Sequence, residues 1–285
     1  MSPLTPEEIR ALLDEVDLLV DEGLSTAIFL TLTLGQPLLL EGEPGVGKTA
    51  TAKALARALG TPLIRLQCYE GLTVNEALYE WNFQRQLLAI RLASGSAVTE
   101  ADLFTEEYLL ERPILRAVRH PGPTAPVLLI DEIDRADDEF EAMLFEFLGE
   151  GSVTVPELGT FTAARRPLVV LTSNRSRELH DALRRRCLYH WIAFPDPPRA
   201  VEILRRKVPS AAYPLISSTT RFITQARGLD LDKAPGMAEA IDWVSALSAL
   251  GAADLGRDDA VRTLGCIAKT PDDQAAMLDA LERTP

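Results

Sequence analysis

Eight consecutive residues, Gly42-Glu43-Pro44-Gly45-Val46-Gly47-Lys48-Thr49, constrain this chain more than any other feature of it. They fit the pattern GxxxxGK[ST], in which glycines let the backbone curl until its N–H groups face phosphate oxygens. The positive end of the helix that follows adds to the same field. The setting agrees with the pattern. An apolar run at 37–40 precedes it, and residues 48–59 are alanine-rich and end at Gly60, as a helix does. A strand, a glycine turn and a helix in that order predict a site for ATP. Lys48 is expected to neutralise its β- and γ-phosphates, and the Thr49 hydroxyl to ligate Mg2+.

Further apolar runs of strand type lie at 63–67, 127–130 and 168–171, with a fifth at 191–194. Helical stretches between them imply a parallel sheet covered on both faces, an α/β core of the P-loop NTPase kind. The run at 127–130 ends in Asp131-Glu132. Two acids at that point suit two tasks: Asp131 holding Mg2+ through its water ligands, and Glu132 orienting and deprotonating the attacking water. The next run leads into Thr172-Ser173-Asn174. The carboxyl end of a parallel strand lies where ligands bind, so the Asn174 amide is expected at the γ-phosphate, although Asn after a strand also serves as a plain turn residue.

Ala182-Leu183-Arg184-Arg185-Arg186 carries a different signal. A P-loop needs positive charge at the leaving phosphate, and an arginine supplied by another molecule is worth about 10³–10⁵ in rate. The plainer reading of such a cluster is a solvated helix face. Phe140, Met143, Leu144, Phe147 and Leu148 recur at helical spacing and read as core. Residues 151–155 and 160–162 flank a turn at 156–159, which predicts a hairpin.

The chain has 285 residues and a formal net charge of -13. An acidic body repels phosphate backbones, and the basic clusters are short, so nucleic acid is not expected as a partner. Cys68, Cys187 and Cys266 lie far apart with no metal-ligand spacing. No signal peptide or transmembrane segment is visible: residues 27–40 are too short and too interrupted to span a bilayer. A cytoplasmic protein is expected. The proline-rich stretch Phe194-Pro195-Asp196-Pro197-Pro198 divides it into an α/β nucleotide-binding domain, 1–197, and a helical lid, 198–285.

Taken together, GEPGVGKT (42–49), LLIDEIDRAD (128–137), GEGSVTVPELGTF (149–161), LTSN (171–174) and DALRRRC (181–187) resemble an AAA+ ATPase of the MoxR branch, over essentially the whole chain. Residues 64–91 are similar to the accessory ATPase of aerobic molybdenum–copper carbon monoxide dehydrogenase. The resemblance implies a hexameric ring with ATP between subunits, and a hairpin facing the ring interior. It implies partners of two kinds, a protein with a von Willebrand factor A domain and a metalloenzyme client whose cofactor is matured or inserted. It gives Asn174 the sensor role and Arg186, with Arg185 in reserve, the role of a finger reaching the neighbour's site. One departure stands out: the lid region Asp232-Lys233-Ala234-Pro235-Gly236-Met237 lacks the usual sensor arginine, leaving Lys233 as a substitute without the guanidinium fork.

A nucleic-acid motor of the same fold is the main alternative. It would need a basic ring lumen, whereas residues 152–161 contain Glu157 and no Lys or Arg. A guanine-specific enzyme would carry NKxD, which is absent.

Overall fold

A computed structural model describes residues 4–93 and 99–283. The chain opens with α1 (Pro6–Glu15) and α2 (Glu22–Leu34), then β1 (Leu38–Gly42), α3 (Lys48–Ala58) and β2 (Leu63–Gln67). Next come α4 (Val74–Ala77), β3 (Tyr79–Trp81), α5 (Phe83–Leu92), α6 (Glu100–Leu103), β4 (Leu109–Glu111) and α7 (Pro113–Val118). Then follow β5 (Val127–Asp131), α8 (Asp138–Glu150), β6 (Ser152–Val155), β7 (Gly159–Thr162), β8 (Leu168–Ser173), α9 (Asp181–Arg186) and β9 (Leu188–Ile192). Five helices follow: α10 (Pro197–Lys207), α11 (Tyr213–Ala226), α12 (Met237–Ala249), α13 (Arg257–Thr263) and α14 (Pro271–Arg283).

The main sheet has the order β2-β5-β8-β1-β9. β5 runs parallel to both neighbours, with Val127 opposite Leu63 on one side and Leu168 on the other. All five positions of β1 and of β5 are buried, as strands covered on both faces require. β2 instead alternates at the edge. Ile64 and Leu66 turn into the core while Arg65 points to the other, accessible side. Phe140, Leu144 and Phe147 of α8 are buried against this core, with Met143 and Leu148 partly so.

The fold divides into two compact units. One holds residues 1–41 and 49–191, the other 42–48 and 192–285. The second unit has its own core around Trp243, whose indole N–H donates to Thr263 Oγ1 at 2.7 Å and whose ring meets Phe222 at 5.5 Å. Among the described residues, no helix is long and apolar enough to cross a membrane.

Several elements depart from the sequence pattern. Apolar residues recur at helical spacing from Ile9 to Val20, yet α1 stops at Glu15 because Asp17 adopts a left-handed φ of 60°, a conformation aspartate tolerates. The apolar window 27–40 divides into most of α2 and the start of β1, parted by Gly35 at φ 66°. The fifth strand is 188–192 rather than 191–194. Pro195 brings no N–H for a ladder, and pairing begins earlier, where Leu188 N donates to Pro37 O at 2.8 Å. The hairpin is present as β6 and β7, Ser152 opposite Thr162. An unexpected two-stranded sheet, β3 with β4, lies between β2 and β5 in the chain. It buries Trp81, which meets the Tyr79 ring at 6.2 Å and the Phe104 ring at 5.1 Å. Tyr69 and Phe83, in the same stretch of chain, are exposed.

Phe140→Ala should lower the stability of the sheet unit by about 3–5 kcal/mol, the usual cost of removing a fully buried phenylalanine. Hydrogen exchange of the β5 amides in increasing denaturant reads this out. The α12 amides of the second unit serve as the internal reference.

Candidate active site

The carboxylate of Asp131 is the centre of the site. It lies at the end of β5, 2% exposed, and accepts hydrogen bonds from three sides. Oδ1 receives the hydroxyl of Thr172 at 2.6 Å and that of Thr49 at 2.9 Å. Oδ2 receives Arg65 Nε at 2.9 Å and Arg65 Nη2 at 2.6 Å. The Arg65 guanidinium also donates to Gln67 Oε1. The three partners follow from topology: β2 and β8 flank β5, and α3 opens directly after the turn that ends β1.

Glu132 leaves the strand in a left-handed conformation, φ 56° and ψ 50°. Such backbone is uncommon outside glycine and tends to occur at functional sites. Its N–H donates to Thr172 Oγ1 at 2.9 Å, so one hydroxyl serves both acids. The side chain is about one-third exposed and pairs with Arg135 at 3.1 Å. A carboxylate that reaches water beside a buried one has the geometry for proton abstraction.

Asn174 follows β8 and is half-buried. Its N–H donates to Asp134 Oδ2 at 3.2 Å, and the same oxygen takes Ser176 N at 2.8 Å and Ser176 Oγ at 2.7 Å. Further along, buried Glu141 accepts the N–H of His180 at 3.0 Å and a guanidinium bond from Arg177. The segment from Asn174 to α9 is thereby tied to the residues that follow β5.

The arginines of α9 differ in their ties. Arg186 Nη1 donates to Phe145 O at 2.5 Å, and its guanidinium lies 5.4 Å from the Phe145 ring centre. Arg184 lies over Tyr189. Arg185 projects into solvent, its side chain 82% exposed, with Asp181 at 3.7 Å.

The glycine-rich turn belongs to the second compact unit. Gly45 and Gly47 have φ of 78° and 106°, which side chains with a Cβ rarely adopt. Lys48 Nζ donates to Gly42 O at 2.7 Å and Glu43 O at 2.8 Å. The turn is gripped at Gly45, whose carbonyl accepts Ala238 N at 3.2 Å. A Cβ on Gly236 would meet Pro44 O at 2.7 Å, so that approach needs glycine. Arg227, which follows α11, donates to the Glu43 carboxylate and to Pro235 O, and its guanidinium lies 4.1 Å from the Phe194 ring centre. Lys233 is exposed, and its N–H donates to Asp273 Oδ2 at 3.3 Å.

Arg65, Thr172, Asp134 and Arg227 were not singled out by the motif pattern. Arg65 had a signal, a charged residue inside an apolar strand; Arg227 lies 184 residues from its partner Glu43 and had none. Cys68 is close to these acids but is no nucleophile. Burial first, and then the charges of Asp131, Asp134 and Glu132, push its thiol up to about 12, so it stays protonated at neutral pH.

A magnesium ion fits the donors present. A buried carboxylate and a threonine hydroxyl lie 2.9 Å apart, hard oxygen donors of the kind Mg2+ takes.

Comparisons with known proteins give the chain a family and a fold. The AAA domain family, dynein-related subfamily, matches residues 37–187. The uncharacterized protein YeaC of Bacillus subtilis is 30% identical over 119 residues, 41% of this chain and 29% of that protein. The Lon protease of Halothermothrix orenii is 31% identical over 107 residues, 36% of this chain and 10% of that protein. The chain thus spans well under two thirds of these relatives' length. Among solved structures, a mutant of RuvB from Thermotoga maritima is similar in fold, with a TM-score of 0.51 at 20% identity, covering 86% of this chain and 67% of that one.

Thr172→Val keeps the shape of the side chain and removes the hydroxyl shared by Asp131 and Glu132. It should cost about 1–3 kcal/mol, since a part-buried N–H loses its acceptor and a buried carboxylate loses a donor. Thr172→Ser should restore most of the loss, as measured by the denaturation midpoint.

Proposed function

The chain belongs to the AAA domain family, dynein-related subfamily, and from that premise we propose that it is a ring-forming remodelling ATPase of the MoxR type. It binds ATP with Mg2+ and hydrolyses it, as the family does. Members of the family generally assemble into rings; a hexamer is proposed for this one. The proposed task is maturation or cofactor insertion in a metalloenzyme client, with a von Willebrand factor A domain protein as partner, in the cytoplasm. The motif resemblance carries this reading. The exposed apolar face of α5, with Phe83, Leu87, Leu88 and Leu92 each more than half exposed, supports contact with another protein.

The proposed roles follow the motifs. Residues 42–49 wrap the phosphates, with Lys48 supplying charge to them and residues 198–285 acting as lid. Thr49 and Asp131 hold the magnesium, whose chemistry when bound is to neutralise charge on the phosphate oxygens. Glu132 takes the proton of the attacking water, and Asn174 orients that water against the γ-phosphate. Arg186 or Arg185 supplies the trans charge. Exposure favours Arg185, while Arg186 would first leave Phe145. Arg227, reaching Glu43 within the second unit, is the lid residue suited to report on the phosphate turn in place of the missing sensor arginine.

The observation that carries hydrolysis is the pairing of a buried Asp131 with a solvent-reaching Glu132 on one strand end. Glu132→Gln should bind ATP normally and lose about 10²–10⁴ in turnover. Arg185→Ala and Arg186→Ala should also bind ATP, and the variant that removes the finger should lose about 10³ or more. Mixing that variant with Glu132→Gln should recover activity, because one subunit's arginine serves its neighbour's site. Co-assembled but inactive mixtures would rule out a trans finger in α9.

A further inference from the structure

Arg65 reaches across from β2 to place two donors on one oxygen of the buried Asp131 carboxylate. We propose that Arg65 is a built-in competitor of magnesium for Asp131, and so sets the magnesium concentration at which the ATPase loads its nucleotide. This rests on Asp131 being a magnesium-holding residue, the role proposed above.

The argument starts from the division of labour between the two oxygens. Oδ1 accepts two hydroxyls, from Thr49 and Thr172. A hydroxyl that donates its hydrogen to a carboxylate keeps its lone pairs, so Thr49 is able to ligate a cation while bonded to Oδ1. Oδ2 is therefore the oxygen left to accept a hydrogen bond from magnesium-bound water. Arg65 occupies that oxygen with Nε and Nη2 together. A guanidinium has five donors and no acceptor, so it can neither ligate the metal nor receive a bond from its water. The two cations also repel each other, and on a carboxylate 2% exposed little solvent screens that repulsion.

The guanidinium has somewhere else to go. Its side chain is 46% exposed, and Nη2 already contacts Gln67 Oε1, two residues along the strand and on the same face. Swinging onto Gln67 and water costs it little. Asp131 meanwhile passes from one counter-charge to another and is never left as a buried anion alone, which would be strongly unfavourable. Ser or Thr at position 65 would not do this, because a neutral donor does not balance the charge.

The test compares Arg65→Gln and Arg65→Lys with the parent chain. Glutamine keeps a planar donor group without charge; lysine keeps the charge without the two-point grip. A fluorescent ATP analogue, held at fixed concentration, is titrated with MgCl2, and the magnesium midpoint is read from binding, not from turnover. Melting temperature is measured in EDTA and again in saturating Mg2+ and ATP. Arg65→Gln should lower the midpoint roughly two- to fivefold, the range for a half-exposed ion pair converted to affinity. Arg65→Lys should fall between the two. The glutamine variant should also lose more melting temperature in EDTA than with Mg2+ and ATP, since only there is Asp131 without a counter-charge. A midpoint unchanged or raised in both variants, with equal melting losses in the two conditions, would overturn the proposal and make Arg65 a permanent structural counter-ion. An analogue that binds equally with and without Mg2+ in the parent chain would instead count against Asp131 as a magnesium residue.

Discussion

One carboxylate, buried at the carboxyl end of the middle strands, organises this structure. Burying a charge is costly unless it is paired and hydrogen-bonded. Asp131 meets that condition with two hydroxyls and a guanidinium, and each comes from a different part of the chain. Arg65 comes from the strand on one side, Thr172 from the strand on the other, and Thr49 from the helix behind the phosphate turn. Only the order β2-β5-β8-β1 brings all three to the same place. The strand order and the site are thus one constraint seen twice.

The other site residues hang from that anchor. Thr172 spends its hydrogen on Asp131 and its lone pair on the Glu132 N–H, which helps keep Glu132 in its left-handed turn. Asp134, two residues on, collects the backbone of Asn174 and the whole polar group of Ser176. Glu141 then fixes the start of the arginine-bearing helix through His180. The residues proposed to act on phosphate and water, Asp131, Glu132 and Asn174, are in this way held by polar contacts, with the apolar strand interiors beneath them. The glycine-rich turn is held differently. It is gripped by the helical unit, through Gly45, Gly236 and Arg227, so the turn and the helices after β9 form one compact unit.

The sequence made the parallel sheet and the acids legible because local physics sets both. A glycine turn between an apolar run and an alanine-rich helix has few other uses, and a continuous apolar run ending in two acids marks a strand end. The small sheet of β3 and β4 was not legible, since three-residue strands show no period. Helix α2 was hidden because its apolar residues run on into β1 with only Gly35 to divide them. The fifth strand was misplaced by three residues, since the exposed Tyr189 and Trp191 alternate with partly buried neighbours at an edge.

By itself the sequence determined that this chain builds a glycine-rich turn between a strand and a helix, and a buried strand that ends in two acids, because those features depend on residues adjacent in the chain. It also determined which residue types were available: Arg65, Thr172 and Arg227 are all plainly written. What only the tertiary structure decided was their employment. Arg65 reaches Asp131 across 66 residues, Thr172 reaches it across 41, and Arg227 reaches Glu43 across 184. No periodicity or spacing encodes such pairs, because they form only when separate strands and helices are packed and a buried charge selects its donors from whatever the packing brings near.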